Sequence, residues 1–251
     1  WNRRLGWRLL FAWARHMAHL AVDFFRMPRI DAASLRDHLD TRPIEELRRA
    51  IGGERGIIWV TGHLGFWELG GHAGSLLGKP VTVVQRPASA APINDVVNSI
   101  RTAGGQQVLA KRDVLWPLKK TLDRGGEIGL LLDEDTPERP VFVPFLGTVA
   151  ATSPSAAFLH RSTGAPIAVV SCHRTGRERF CFRVWRVIRC APTADRDADL
   201  RAICTAINEA LSSAILSRPE QWLWGSRRFF TRPPGEVPGP DGLPPPAAAR
   251  L

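Results

Sequence analysis

Short apolar runs recur along the chain, each closed off by glycine, proline or a polar turn, with helical stretches between them. Gly56-Ile57-Ile58-Trp59-Val60-Thr61 is the first, and Pro80-Val81-Thr82-Val83-Val84, Gln107-Val108-Leu109 and Ile128-Gly129-Leu130-Leu131-Leu132 follow. Val141-Phe142-Val143 and Ile167-Ala168-Val169-Val170 continue the series. Runs this short are strands rather than helices, and an unbroken apolar run marks a strand covered on both faces. Helical stretches over 67–77, 93–103, 114–124 and 155–163 fill most of the gaps. Strands alternating with helices predict an α/β fold, a mostly parallel central sheet flanked by helices. Its length of 251 residues suits one large domain of this kind, or two small domains at most.

Other elements follow the same reasoning. Pro43, a favoured first-turn residue, opens a helix that Gly52 and Gly53 close. Residues 180–188 alternate, and the turn at Thr175-Gly176 predicts that they run antiparallel to the preceding strand. Leu200, Ile203, Ile207, Leu211 and Ile215 give one apolar face to a helix over about 198–216.

The two ends differ from the middle. In residues 1–30, Leu9, Leu10, Trp13, Met17 and Leu20 recur at helical spacing among Arg3, Arg4, Arg8, Arg15, His16 and His19. Such a basic amphipathic helix either packs on the domain or lies in a lipid interface. Residues 31–232 carry the α/β pattern, and 233–251, rich in Pro, Gly and Ala, read as a disordered tail. No apolar run is long enough to span a bilayer. The sequence begins at Trp1 rather than a methionine, which leaves open whether a natural start with a membrane anchor precedes it. The four cysteines (Cys172, Cys181, Cys190 and Cys204) form no CxxC pair and read as reduced, mostly buried thiols. A net charge of +10 favours anionic partners: nucleic acid, phospholipid headgroups, phosphorylated sugars or an acidic carrier protein.

The segment richest in chemistry is Thr61-Gly62-His63-Leu64-Gly65-Phe66-Trp67-Glu68. Within a regular helix, residues five apart sit about 140° around the axis and do not meet. With His63 on the loop after a strand and Glu68 in the first turn of the next helix, they can. The carboxylate would then hold one imidazole nitrogen and leave the other as a general base. A loop histidine with a structural hydrogen bond fits the same pattern. The position beyond a strand's carboxyl end is where open α/β sheets bind ligands. Asp133 and Asp135 follow another strand end and are placed in the same cleft. A metal site from Asp133, Glu134, Asp135 and Glu138 is conceivable, but carboxylates on turns are usually solvated, so no metal is expected. No Gly-x-Ser-x-Gly elbow occurs, which argues against a serine hydrolase. His72, His160 and His173 are isolated and read as structural.

These residues resemble the lipid A biosynthesis (lauroyl/myristoyl) acyltransferase family, within the glycerolipid acyltransferases marked by His-x4-Asp/Glu. His63 and Glu68 match that motif. Gln85-Arg86-Pro87 with Asn94, Arg101 with Gly104 or Gly105, and Asp133-Glu134-Asp135 resemble further family blocks in order and spacing. So do Val141 to Gly147 with Ala150-Ala151-Thr152, and Pro219 to Trp224 with Arg227-Arg228-Phe229. Phe66 and Glu134 depart from the family's frequent Asn and Gln, and Gly225-Ser226 from its usual residue before the Arg pair.

The resemblance implies an O-acyltransferase with His63 as base, Glu68 orienting it and Arg101 stabilising charge. Arg86, Asn94, Asp133, Asp135, Arg227 and Arg228 would contact substrate. It implies no cofactor beyond the donor, an acyl carrier protein or coenzyme A thioester. The acceptor would be an anionic glycolipid, a lipid A precursor, at the cytoplasmic face of a bacterial inner membrane, with no nucleic acid bound. Three alternatives remain: a phosphatidylinositol mannoside acyltransferase, a thioesterase, and an inactive module that binds membranes or nucleic acid.

Overall fold

The computed structural model describes residues 3–52, 56–85, 91–110 and 113–237. In chain order the elements are α1 (Arg3–Arg26), α2 (Leu35–His38), β1 (Leu39–Asp40), α3 (Arg42–Ile51), β2 (Ile57–Thr61) and α4 (Trp67–Leu76). Then come β3 (Val81–Gln85), α5 (Ala91–Thr102), β4 (Gln107–Ala110), α6 (Leu115–Asp123) and β5 (Glu127–Leu131). The chain continues with β6 (Val141–Phe145), β7 (Thr148–Thr152), α7 (Ser155–Thr163), β8 (Ile167–Gly176), β9 (Arg179–Ile188) and α8 (Arg196–Ser217). The expected α/β architecture is what forms. A seven-stranded sheet has the order β1-β9-β8-β2-β5-β3-β4. β8, β2, β5, β3 and β4 are parallel, while β9 turns back antiparallel on β8 and carries the short β1 parallel to itself.

Period-two alternation in β2 divides the core between the sheet's faces. Ile58 and Val60 join Ile128, Leu130, Ile167 and Val169 beneath α6, α7 and α8. Ile57 and Trp59 join Val81, Ala168 and Val170 beneath α3 and α4. The helices end where their sequences dictate. Pro43 sits in the first turn of α3, and Gly52 closes that helix at φ 79°. Asp195 caps α8 by accepting from the Ala198 amide at 2.9 Å. Glu127, fully buried at the start of β5, is satisfied by Arg48 at 2.7 and 2.8 Å and by the Trp59 indole at 2.8 Å. Those contacts tie α3 to two neighbouring strands.

Two expectations need correction. Residues 141–145 do not join the main sheet but pair with β7 in a separate antiparallel hairpin. Pro144 has no amide to give a second neighbour, and Leu146 and Gly147, at φ 48° and 79°, make a tight turn with positive φ at both positions. α8 holds the hairpin instead, through Ser212 Oγ to the Leu146 amide (2.9 Å) and Asn208 to the Pro144 carbonyl (3.0 Å). Cys172 and Cys204 are buried, but Cys181 and Cys190 are exposed. At the start of the Pro-rich segment Arg232 pairs with Glu236 at 2.7 Å, and residues 238–251 lie outside the described residues. Among the described residues no helix is long and apolar enough to cross a membrane.

Candidate active site

β2 and β5 are neighbouring parallel strands whose last residues, Thr61 and Leu131, stand side by side. Two residues further along each chain lie His63 and Asp133. The Asp133 carboxylate holds that histidine twice: Oδ2 accepts the His63 backbone N–H at 2.7 Å and Oδ1 contacts imidazole Nδ1 at 2.9 Å. Oδ2 also accepts the Trp222 indole N–H at 2.8 Å. Asp133 is fully buried, so these donors replace its lost hydration. Gly62 lets the two strand ends approach, since a Cβ there would stand 2.9 Å from the Asp133 carboxyl. Gly65, at φ 67°, turns the loop into α4 with its own α-carbon against the Cys172 carbonyl.

The loop is further pinned on both sides. The Gly65 amide donates to the Gln221 carbonyl, the Phe66 amide to Cys172, and the Leu223 amide to His63, at 2.7 to 2.9 Å. The Trp67 ring stands edge-on to the imidazole at a centroid distance of 5.0 Å. His63 Nε2 is left without a hydrogen bond among the described residues, and its nearest acidic atom is Glu134 Oε1 at 3.9 Å. It borders a cavity of about 1450 Å³ that opens across the carboxyl ends of the strands.

Burial by itself lowers the His63 pKa. The hydrogen bond and charge of Asp133, with the charges of Glu134 and Glu68, outweigh it and hold the imidazole above its usual value. Burial likewise raises a carboxyl, yet the contacts from His63 and the Trp222 indole keep Asp133 below the ordinary aspartate range. The two directions agree: the pair favours an ionised carboxylate beside an imidazole that takes up a proton readily.

The expectation that Glu68 orients His63 is therefore not met. Glu68 lies in the first turn of α4, and its carboxylate is gripped by Arg101 from the end of α5, with Nε at 2.9 and 3.1 Å and Nη2 in closer contact. Arg101 also donates to the Gln85 side chain at the end of β3, and the Trp67 indole donates to Glu68 at 3.2 Å. Glu68, Arg101, Gln85 and Asn94 line the same cavity as His63, and Arg101 is the one arginine or lysine among its described lining residues. Its guanidinium is neutralised locally by Glu68.

The remaining predicted residues divide. Asp133 stands behind His63 rather than facing a substrate. Asp135 lines the cavity, but its carboxylate accepts from the Thr231 amide and hydroxyl at 3.1 and 2.7 Å. Arg228, expected at a lipid phosphate, is buried and spent on the Glu134 and Ala151 carbonyls and the Thr152 hydroxyl. Burial lowers its pKa to about 10. Arg227 is exposed, 5.7 Å from the Phe230 ring, and is not among the cavity's lining residues. Arg86 lies outside the described residues. His72 is tied to the Ile30 carbonyl and His160 to the Ala165 carbonyl, both at 2.7 Å.

Sequence reasoning missed two residues of this arrangement, Trp222 and the imidazole-binding role of Asp133. The signal for Asp133 was the equal offset from two strand ends, usable only once β2 and β5 are known to be neighbours.

A family model for bacterial lipid A biosynthesis acyltransferases matches residues 9–231. The lipid A palmitoleoyltransferase and lauroyltransferase of Escherichia coli K12 are 26% and 28% identical over 80% and 76% of this chain. The chain spans 65% and 62% of those relatives' own lengths. A phosphatidylinositol mannoside acyltransferase of Mycolicibacterium smegmatis is 26% identical over 79% of the chain and 64% of its own. With the family model covering most of its length, the chain belongs to the bacterial lipid A biosynthesis acyltransferase family.

Proposed function

We propose that the protein is an O-acyltransferase moving a fatty acyl group from an acyl carrier protein or coenzyme A thioester to a hydroxyl of a lipid A precursor at the inner-membrane surface. The observation that carries this reading is His63: one ring nitrogen is held by a buried carboxylate and the other is free at the wall of a large cavity. A base so arranged suits direct attack by an acceptor hydroxyl.

In that reaction the acceptor O–H gives its proton to Nε2 as its oxygen attacks the thioester carbonyl carbon. The tetrahedral intermediate collapses with cleavage of the C–S bond, and the departing thiolate takes the proton back from the imidazolium. Asp133 fixes the tautomer, with hydrogen on Nδ1, and steadies the positive ring in between. Asp133 thus takes over the orienting role expected of Glu68, which with Arg101 and Gln85 shapes the cavity wall.

The test is acyl transfer from labelled carrier-protein and coenzyme A thioesters to a tetra-acylated lipid A precursor, with His63→Ala beside the wild type. We expect lipid-linked label that falls about 10²- to 10⁴-fold in the variant. Free fatty acid alone would favour a thioesterase. Transfer only to a phosphatidylinositol mannoside, as the mycobacterial relative's name suggests, would move the acceptor but keep the base.

A further inference from the structure

A second cavity, of about 650 Å³, lies between α1, the β8–β9 turn and the segment after α8. α1 contributes Arg15, His16, His19 and Val22 to it; the turn contributes Arg174 and Arg177, and the segment after α8 contributes Arg218. Asp23 pairs with Arg174, and Glu178 with Arg26. That leaves Arg15, Arg177 and Arg218 without an ion pair among the described residues, against the single carboxylate of Glu220. His16 is only 5% exposed; its ring meets the Gly65 backbone, and among the described residues its Nε2 has no hydrogen-bond partner. Burial, then the charge of Arg174, drives its pKa down to about 4. His173, behind it, is lowered to about 4 by burial and then by Arg218 and Arg183. The site is a positive field with an unused buried donor or acceptor at its base.

The helix that walls this cavity carries a second, adjoining feature. At about 100° per residue, Trp7, Leu10, Phe11, Val22 and Phe25 fall on one arc of α1 about 120° wide, with Arg3 and Arg4 of the first turn at its N-terminal end. All of them are exposed, Phe11 at 69% and Phe25 at 66%. Arg8, Arg15 and Arg26 fall on the flank next to that arc, and Val22 belongs to both the arc and the cavity wall. An apolar face with aromatic residues, flanked by arginines, is the form of a helix lying in a lipid interface. Here the flank is not merely basic but opens into the recess described above.

We propose that this cavity binds the phosphate of an anionic phospholipid in a bilayer, with the apolar arc of α1 inserted among the acyl chains beside it. Arg15 and Arg218 close on the phosphate from either side, and the neutral His16 imidazole offers its free Nε2 below. The proposal does not depend on the acyl-transfer reading, because binding is measured without donor or acceptor.

The experiment is co-sedimentation of the full chain with vesicles of phosphatidylcholine alone and of phosphatidylcholine with phosphatidylglycerol. Arg15→Glu/Arg218→Glu and Phe11→Asp/Phe25→Asp each change exposed side chains only, and Arg124→Glu/Arg196→Glu, equally exposed, is the charge-matched control elsewhere. We expect binding to the anionic vesicles, weakened about tenfold or more by either test pair and less than about twofold by the control. Hydrogen exchange of the wild type should show protection across residues 3–26 on adding anionic vesicles, which needs no variant. Equal loss in the control pair would reduce the site to diffuse charge and overturn it. Unchanged binding of the phenylalanine pair would overturn the insertion. Thermal stabilisation by inorganic phosphate equal to that by vesicles would show a site for the free ion rather than a lipid.

Discussion

Two carboxylates lie near His63, Asp133 behind the ring and Glu68 on the cavity wall, and they are held in opposite ways. Asp133 sits on a strand end, has no exposure, and spends its oxygens on an imidazole, a backbone amide and an indole. Glu68 sits on a helix turn and is clasped by the guanidinium of Arg101. In the chain Glu68 is five residues from His63 and Asp133 is seventy. Yet the distant one makes the bond, because β2 and β5 run side by side and deliver both residues at the same height. The helical carboxylate leaves in another direction and meets α5. The motif thus marks two adjacent structures, a base with its own support and an ion pair beside it.

The largest test of that division is Asp133→Asn. The His63 amide and the Trp222 indole both donate to Oδ2, so the new amide must keep its oxygen there and turn its NH₂ toward Nδ1. Nδ1 then accepts, the ring hydrogen moves to Nε2, and the base is lost while the fold remains. We expect kcat to fall about 10³- to 10⁴-fold, with melting temperature and circular dichroism as controls on folding. Glu68→Gln should cost less, about ten- to a hundredfold in kcat/KM, the worth of one charged hydrogen-bonding partner. Equal kcat losses in the two variants would return Glu68 to the imidazole and break the comparison.

The pH profile separates the two carboxylates further. His63 must be unprotonated to act as base, so turnover rises with pH through its raised pKa. Glu68 is the weakest of the charges acting on it, so Glu68→Gln should move that acid limb only slightly toward lower pH. The stability signature has two sides. His63, with its pKa raised by folding, adds stability that is complete below its unfolded value near 6.5 and lost as pH rises through the folded value. Asp133, with its pKa lowered, adds stability present above about 3.8 and lost as pH falls through its folded value. Thermal melts across pH should therefore flatten on both sides in Asp133→Asn.

How far the sequence reaches follows from which interactions are local. The strands and helices around residues 57–131 are set by apolar runs and periodicity within each segment, so they are legible before any contact is known. Residues 141–152 were not, because a proline inside a strand and a Leu-Gly turn decide which partner it finds. The site split in the same manner. His63 is marked by its glycines and by the strand before it, whereas its partner depends on strand order, which no local pattern states. Arg228 looked like a headgroup ligand from its aromatic neighbours. Its place in the core comes from three acceptors contributed by residues 134, 151 and 152.

The smallest effect, and the finest test, is Trp222→Phe. The ring stays, packed 5.9 Å from Phe145 and 4.8 Å from Trp224, so little core volume is lost. What disappears is one of three donors to Asp133, in a site where burial already pushes the carboxyl up. With that donor gone, the Asp133 pKa rises toward the ordinary range. Still ionised where His63 titrates, and with one donor fewer to share its charge, the carboxylate draws harder on the ring, and the imidazole pKa rises. We expect kcat about five- to tenfold lower, from about 1–1.5 kcal/mol for one hydrogen bond. The acid limb of the rate profile should move up in pH, opposite to the effect of removing the Asp133 charge. A loss of rate without that movement would mean that the indole serves packing alone. The buried carboxylate would then be held by the histidine it holds.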